Sequence, residues 1–259
     1  MPAYISSLKG GRPSNEDAHT VYINNKTEVN IYGVYDGHGG KFISNFLSNN
    51  IPLFFLSKKL YPLKHNYVNM VYDKIQNILY TKYEKEAMIC GSTCLMVCHF
   101  KQDNVDYLNV LNTGDARCVL CNSENFGIPL TKDHKPDQAE EYNRITKLGG
   151  QPIDVDGIYR IGSLSVSRAF GDKDEEKYVT HRPDIFLYTL NKNDKFIIVA
   201  CDGLWDVMDS QEAVNFVLRN CYDIDMKRIN TSLNIARIMS EKCIELGSTD
   251  NITCIVVFF

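Results

Sequence analysis

Two short apolar runs in this 259-residue chain end on the same dipeptide. Ile31-Tyr-Gly-Val-Tyr closes on Asp36, and Gly37, His38, Gly39 and Gly40 follow at once. Phe196-Ile-Ile-Val-Ala-Cys closes on Asp202 and Gly203. The length of both runs, and their Ile, Val, Tyr and Phe content, predict buried strands. A carboxylate at the end of a buried strand is costly unless it meets a cation or several donors. The glycines after Asp36 let the backbone turn tightly and lie close to whatever that carboxylate holds. Taken singly, a strand ending in Asp-Gly is a polar residue opening a turn; it is the recurrence that points to a site.

Strand alternation places Asp36 on the face of Tyr32 and Val34, and Asp202 on the face of Phe196, Ile198 and Ala200. Asp250 stands before a last apolar strand, Asp115 follows Gly114 in a turn, and Glu16 and Asp17 lead into a strand near Ala18. Carboxylates converging at sheet edges repel one another unless protons or cations intervene. Oxygen ligands without nearby His or Cys select a hard cation such as Mg2+ or Mn2+. Each acid alone reads better as a turn residue or a cap; together they favour a metal centre. Two ions about 3.5–4 Å apart, bridged by one carboxylate, activate a shared water and hold phosphate oxygens.

Composition narrows the class. The chain is 44% hydrophobic and 23% charged, with net charge −4, enough apolar material for a sizeable core and no basic footprint for nucleic acid. No run reaches the roughly 18 apolar residues of a membrane span, and the amino terminus carries neither a secretory nor a myristoylation pattern. A cytoplasmic, monomeric protein is expected, with nuclear residence left open. The nine cysteines are scattered through apolar segments, which suits buried free thiols. Cys118 and Cys121 have zinc-ligand spacing, but without a second pair their run reads as a strand.

Strands are expected at residues 3–8, 18–24 and Ile31–Asp36, then at Ser92–Phe100, Val105–Asn112 and Arg117–Cys121, joined by turn-forming residues. Further strands are expected at Ile185–Leu190, Lys195–Cys201 and Asn251–Phe259. Helical spacing predicts amphipathic helices over Lys41–Leu60, split near Pro52, and over His65–Glu86. It also predicts helices from Asp137 as N-cap to Leu148, over Gln211–Asn220 and over Asp225–Leu246. Strands and helices come in blocks and not in strict alternation. This predicts an α+β protein of mainly antiparallel sheets, packed together and covered by helix pairs. One domain over residues 1–259 is expected, with a flap-like irregular segment at roughly 127–184.

Seven motifs, in order, carry a resemblance. They are Arg12-x-x-x-Glu16-Asp17, Val34-Tyr-Asp36-Gly37-His38-Gly39-Gly40, Gly91-Ser-Thr93, Asn112-x-Gly114-Asp115-x-Arg117, Leu164-x-Val-Ser-Arg168-Ala-Phe-Gly171-Asp172, Cys201-Asp202-Gly203-x-Trp205-Asp206 and Ser248-x-Asp250-Asn251. The series resembles that of the metal-dependent serine/threonine protein phosphatases of the type 2C (PPM) family.

The resemblance implies a four-layer α-β-β-α sandwich with the metals at one end. It implies that Asp36 bridges two Mg2+ or Mn2+ ions. Asp202 and Asp250 would complete one of them, and Glu16 with the Gly37 carbonyl the other; Asp115 and Asp202 match the positions for a third ion. It further implies phosphorylated Ser/Thr proteins as substrates, hydrolysed by a metal-bridging hydroxide. Arg12 would bind phosphate. His38 would be the general acid, the alternative being a residue that supports Asp36 or a metal-bound water. Asp17 and Asp206 are expected as structural partners, Arg168 as an organiser of the nearby core and His134 as a loop-ordering residue. His19, His65, His99 and His181 have no constellation around them. Ile161 stands where many relatives have asparagine, near the flap. Two other readings stay open: an inactive pseudophosphatase that acts as a binding module, and a hydrolase of small phosphate esters.

Overall fold

In a computed structural model that describes residues 1–23, 28–223, 230 and 232–259, the chain is an α+β sandwich. One sheet has the strand order Ala3–Leu8, Ile252–Phe258, Phe196–Ala200, Arg117–Cys121, Gly127–Pro129. The other runs Asp184–Thr189, Val105–Thr113, Cys94–Gln102, Val29–Tyr35, Ala18–Tyr22. Neighbours in both sheets pair antiparallel.

Alternation along each strand builds three apolar layers. Tyr32 and Val34 face Ile197, Val199, Ile255 and Val257 between the sheets. On the opposite face, Val29, Ile31 and Tyr35 pack under helices Phe42–Asn50 and His65–Lys82. Phe196, Ile198 and Ala200 pack under helices Ser210–Cys221 and Ile235–Glu245. The four layers expected from the pattern are all present. Among the described residues, no helix is long and apolar enough to cross a membrane.

Several boundaries differ for local reasons. The expected helix over Lys41–Leu60 is an α-helix to Asn50 followed by a 3-10 turn over Ile51–Phe55, with Pro52 at its start. The helix from His65 stops at Lys82, because Tyr83 leaves helical geometry and packs its ring on Phe42 and Phe46, with centroids at 5.1 and 5.4 Å. The helix Ala139–Lys147 is preceded by Gln138, so Asp137 is not its N-cap. The last helix begins at Ile235, where the Asn234 side chain accepts from the Arg237 amide. The expected start at Asp225, and Ile229 in its stripe, lie outside the described residues, as does residue 24 at the end of the second strand. All nine cysteines are buried and none is in a disulfide.

The segment at 127–184 is less irregular than expected. It holds a hairpin, Ile153–Val155 with Ile158–Arg160, and a small apolar cluster of Ile145, Ile161, Val166, Ala169 and Val179. Ile161 is a member of that cluster, 4% exposed.

Candidate active site

The glycine-rich turn after Asp36 becomes a miniature third sheet. Gly37–His38 pairs with Gly91–Ser92, which pairs on its other edge with Phe170–Gly171. Asp36 is fixed by backbone contacts: its amide donates to Thr93 Oγ1 at 3.0 Å and its carbonyl accepts from the Thr93 amide at 2.9 Å. Gly37 has no room for a Cβ, because the Glu16 carbonyl and Ser44 hydroxyl fill that space. Ser44 in turn donates to the Glu16 carbonyl.

Asp202 is placed differently from the alternation estimate. The strand ends at Ala200, and Cys201 begins a helical turn over Asp202–Trp205. The period-two pattern therefore stops one residue early, and Asp202 comes within hydrogen-bonding reach of Asp36 instead of following Ala200. Trp205 anchors the turn by donating its indole N–H to the Ala200 carbonyl at 2.9 Å.

Asn251 ties the amino-terminal loop to the last strand. Its side-chain oxygen accepts from the Glu16 amide at 2.8 Å, and its amide nitrogen donates to the carbonyls of Lys9 and Ser14 at 2.8 and 2.9 Å. The loop thereby carries Glu16, Asp17 and Arg12 against Asp250. Glu16 accepts from the Gly40 amide at 3.1 Å, and Arg12 donates to Asp250 at 2.6 Å.

These residues line one cleft of about 300 Å3. Glu16, Asp36, Asp115, Asp202 and Asp250 stand there with Gly37, His38, Arg12 and Arg160. Five carboxylates face two guanidinium groups, and the electrostatics follow. Burial, then the charges of Asp17, Asp202 and Asp115, push the Asp36 carboxyl well above the usual carboxylate range. Burial, followed by Asp206, lifts Asp202 to about 6. Burial and Asp202 raise Asp115 well above its ordinary value, against the opposing charge of Lys135.

The buried oxygens suit a hard cation. Asp17 Oδ1 and Asp115 Oδ2 are buried and accept no hydrogen bond; the Lys135 ammonium is 3.7 Å from the latter. Such orphaned acceptors are rare in folded proteins, and a divalent ion with its water shell satisfies them. Asp17, expected as a structural partner, lies at the edge of this cluster. It brings a carboxylate oxygen to within 4.8 Å of an Asp36 oxygen and the Cys201 sulfur. Burial lifts its carboxyl to about 7, with Asp202 and Asp250 adding to the effect. The Cys201 thiol donates to Asp17 at 3.5 Å and accepts from the Thr253 amide at 3.1 Å, so it braces the cluster from beneath.

Other residues fall outside the cleft. Arg168 is held by Glu141 at 2.6 Å and Asp184 at 2.8 Å, and ties the helix Ala139–Lys147 to the strand Asp184–Thr189. His134 Nδ1 accepts from the Gly114 amide at 3.1 Å, which orders the turn that carries Asp115. Asp206 lies 3.6 Å from Lys135. His99 and His181 do have partners, Asp106 at 2.9 Å and Asp73 at 2.8 Å. Both pairs, one 7 and the other 108 positions apart in the chain, were missed because single residues, not motifs, carry them.

A sandwich with an acid-lined cleft in one end is the frame into which the comparisons fall. The family profile described as Protein phosphatase 2C matches residues 4–252, and the chain belongs to that family of protein phosphatases. A PP2C-like domain-containing protein of Acanthamoeba polyphaga mimivirus is 46% identical over 176 residues, which cover 61% of this chain and 96% of that protein. The human integrin-linked kinase-associated serine/threonine phosphatase 2C is 32% identical, with 99% of this chain and 72% of that protein covered. A crystal structure of a Toxoplasma gondii serine-threonine phosphatase 2C has the same fold. Its TM-score is 0.82 at 24% identity, covering 99% of this chain and 94% of that one.

Proposed function

We propose that this protein phosphatase is Mg2+- or Mn2+-dependent and removes phosphate from phosphoserine and phosphothreonine side chains of proteins. The observation that carries the reading is the convergence of Glu16, Asp17, Asp36, Asp115, Asp202 and Asp250 from both sheets, with orphaned buried oxygens among them. Asp36, with Glu16, the Gly37 carbonyl, Asp202 and Asp250, would hold two ions, and Asp115 is available for a third. Bound there, the ions supply a water of lowered pKa and neutralise phosphate charge.

The chain's own groups do the rest. Arg12 is more than half exposed at the cleft mouth, and its planar fork suits two phosphate oxygens. His38 lines the same cleft, where it can protonate the departing serine or threonine oxygen, a poor leaving group as the bare alkoxide. The flap residues Arg160 and Ser163 close one side of the cleft. Arg160 is held toward it by donating to the Ser163 carbonyl at 2.7 Å.

The test is hydrolysis of a phosphothreonine peptide by the purified chain, titrated with Mn2+ and then with chelator. Metal-dependent phosphate release that is lost in Asp36→Asn supports the reading. No release from a folded sample at millimolar metal would make the chain a binding module. Equal or better turnover of sugar or nucleotide phosphates would make it a small-ester hydrolase.

A further inference from the structure

The miniature sheet beside the cleft brings together two residues 134 positions apart. His38 lies opposite Gly91 in one pairing and Gly171 lies opposite Gly91 in the other. Asp172 therefore emerges directly across the Gly91 position from His38. His38 Nε2 is 2.8 Å from Asp172 Oδ1 and 2.9 Å from Oδ2. Gly91 makes the approach possible, since a Cβ there would collide with both the Asp172 carboxyl and the His38 ring.

The fold holds Asp172 in place at some conformational cost. Its φ of 45° and ψ of 50° are left-handed, a region few residues other than glycine adopt. Its amide donates to the Cys90 carbonyl at 3.2 Å. The preceding residue, Gly171, is clamped from the helix His65–Lys82. Gln76 accepts from its amide at 3.1 Å and donates to its carbonyl at 3.2 Å, and the Tyr80 hydroxyl donates to that carbonyl at 3.0 Å. A strained conformation held by this many contacts marks a position with a task.

From this geometry we infer that Asp172 is a positioning residue for the His38 acid: it accepts the Nε2–H, fixes the ring, and leaves Nδ1 as the nitrogen that faces the leaving oxygen. The inference rests on the general-acid reading of His38. The Asp172 side chain is only 7% exposed against 29% for His38, so the carboxylate sits behind the ring and out of reach of a substrate in the cleft. A partner that accepts the rear N–H of an imidazole sets both its rotation and its tautomer.

The experiment compares two substrates at saturating Mn2+. A phosphothreonine peptide has a leaving group that needs a proton, whereas p-nitrophenyl phosphate has one that does not. Asp172→Ala is expected to lower kcat on the peptide by roughly 10–100-fold while kcat on p-nitrophenyl phosphate changes by less than about 3-fold. Asp172→Asn, whose amide oxygen can accept the same N–H, should recover part of the loss and serves if the alanine variant fails to fold. His38→Gln sets the reference, and adding Asp172→Ala to it should bring no further loss. If His38→Gln slows both substrates alike, the general-acid reading fails and this inference with it. If His38→Gln separates the substrates but the Asp172 variants slow both in parallel, or neither, Asp172 is merely structural and the inference alone is overturned.

Discussion

Arg12 donates from its guanidinium to Asp250 Oδ2 at 2.6 Å, joining the amino-terminal loop to the residue that opens the last strand. The pair is open to solvent, so its worth as a salt bridge is small. It matters as a competition, because one cation shields a carboxylate proposed as a metal ligand and is itself proposed to hold phosphate. Asp250 also accepts from the Asn251 amide at 2.6 Å, a hold that does not depend on Arg12.

Arg12→Ala is accordingly expected to raise KM for a phosphopeptide by about 10–100-fold, the worth of a charge-assisted fork. The Mn2+ concentration for half-maximal activity should stay the same or fall, since Asp250 loses a competing cation. Steady-state kinetics at several Mn2+ concentrations check both. A large rise in the Mn2+ requirement would show that Arg12 shapes the metal centre.

Asp36→Asn should abolish phosphate release and still yield folded protein. Burial and three neighbouring carboxylates oppose the Asp36 charge, so neutralising it relieves repulsion in the metal-free protein. Relief of about 1 kcal/mol would raise the melting temperature in chelator by ~2–4 °C. Added Mn2+ should stabilise the unsubstituted protein and not the variant. Melts with and without metal read this directly, and a variant that melts far lower in chelator would make Asp36 a fold determinant.

Glu141 provides the pH dependence. Burial opposes its charge, but bonds from Arg168 and Arg144 prevail and hold the carboxyl at about 2, below its usual 4.5. The His134 ring, 3.2 Å away, and then the Arg168 guanidinium likewise hold Asp184 at about 2. Groups depressed in the folded state contribute stability that is fully present above the unfolded value and is lost as pH falls through the folded one. Melting temperature should therefore decline as pH drops from about 4.5 toward 2. Glu141→Gln should cost about 2–3 kcal/mol at neutral pH and flatten that decline. An unchanged acid limb in the variant would assign acid sensitivity to other groups.

Gly91→Ala tests the crowding between His38 and Asp172. The added methyl has no space there, so the ring and carboxyl must separate or the strand must shift. Activity on a phosphothreonine peptide should fall by at least about 10-fold. Mn2+-induced stabilisation measured by thermal melts should fall less than activity if only the ring and carboxyl separate, and in step with it if the strand that holds Asp36 and Gly37 shifts.

The strands were legible because their signal is local. Val29–Tyr35 and Phe196–Ala200 carry their own β-formers and their own alternation, and both cores they serve could be assigned from period two. The site was legible only through its motifs. Asp202 could not be placed by alternation, since the strand gives way to a helical turn at Cys201 and nothing in the period-two pattern announces it. The surroundings of Asp17 were hidden for a related reason. Its neighbours Cys201 and Thr253 arrive from more than 180 residues away, and nothing next to Asp17 in the chain announces them. The helix near residue 235 begins later than its apolar stripe suggests because Asn234 caps it there.

The amino-terminal strand Ala3–Leu8 has one neighbour in its sheet, the strand Ile252–Phe258. The first strand therefore gains its sheet partner only when residues about 250 positions further along the chain are in place. Arg12, Glu16 and Asp17 wait with it, because Asn251 is what draws their loop to Asp250. A truncation before Asn251 removes what draws that loop to Asp250, and is expected to lose phosphate release together with metal-induced stabilisation.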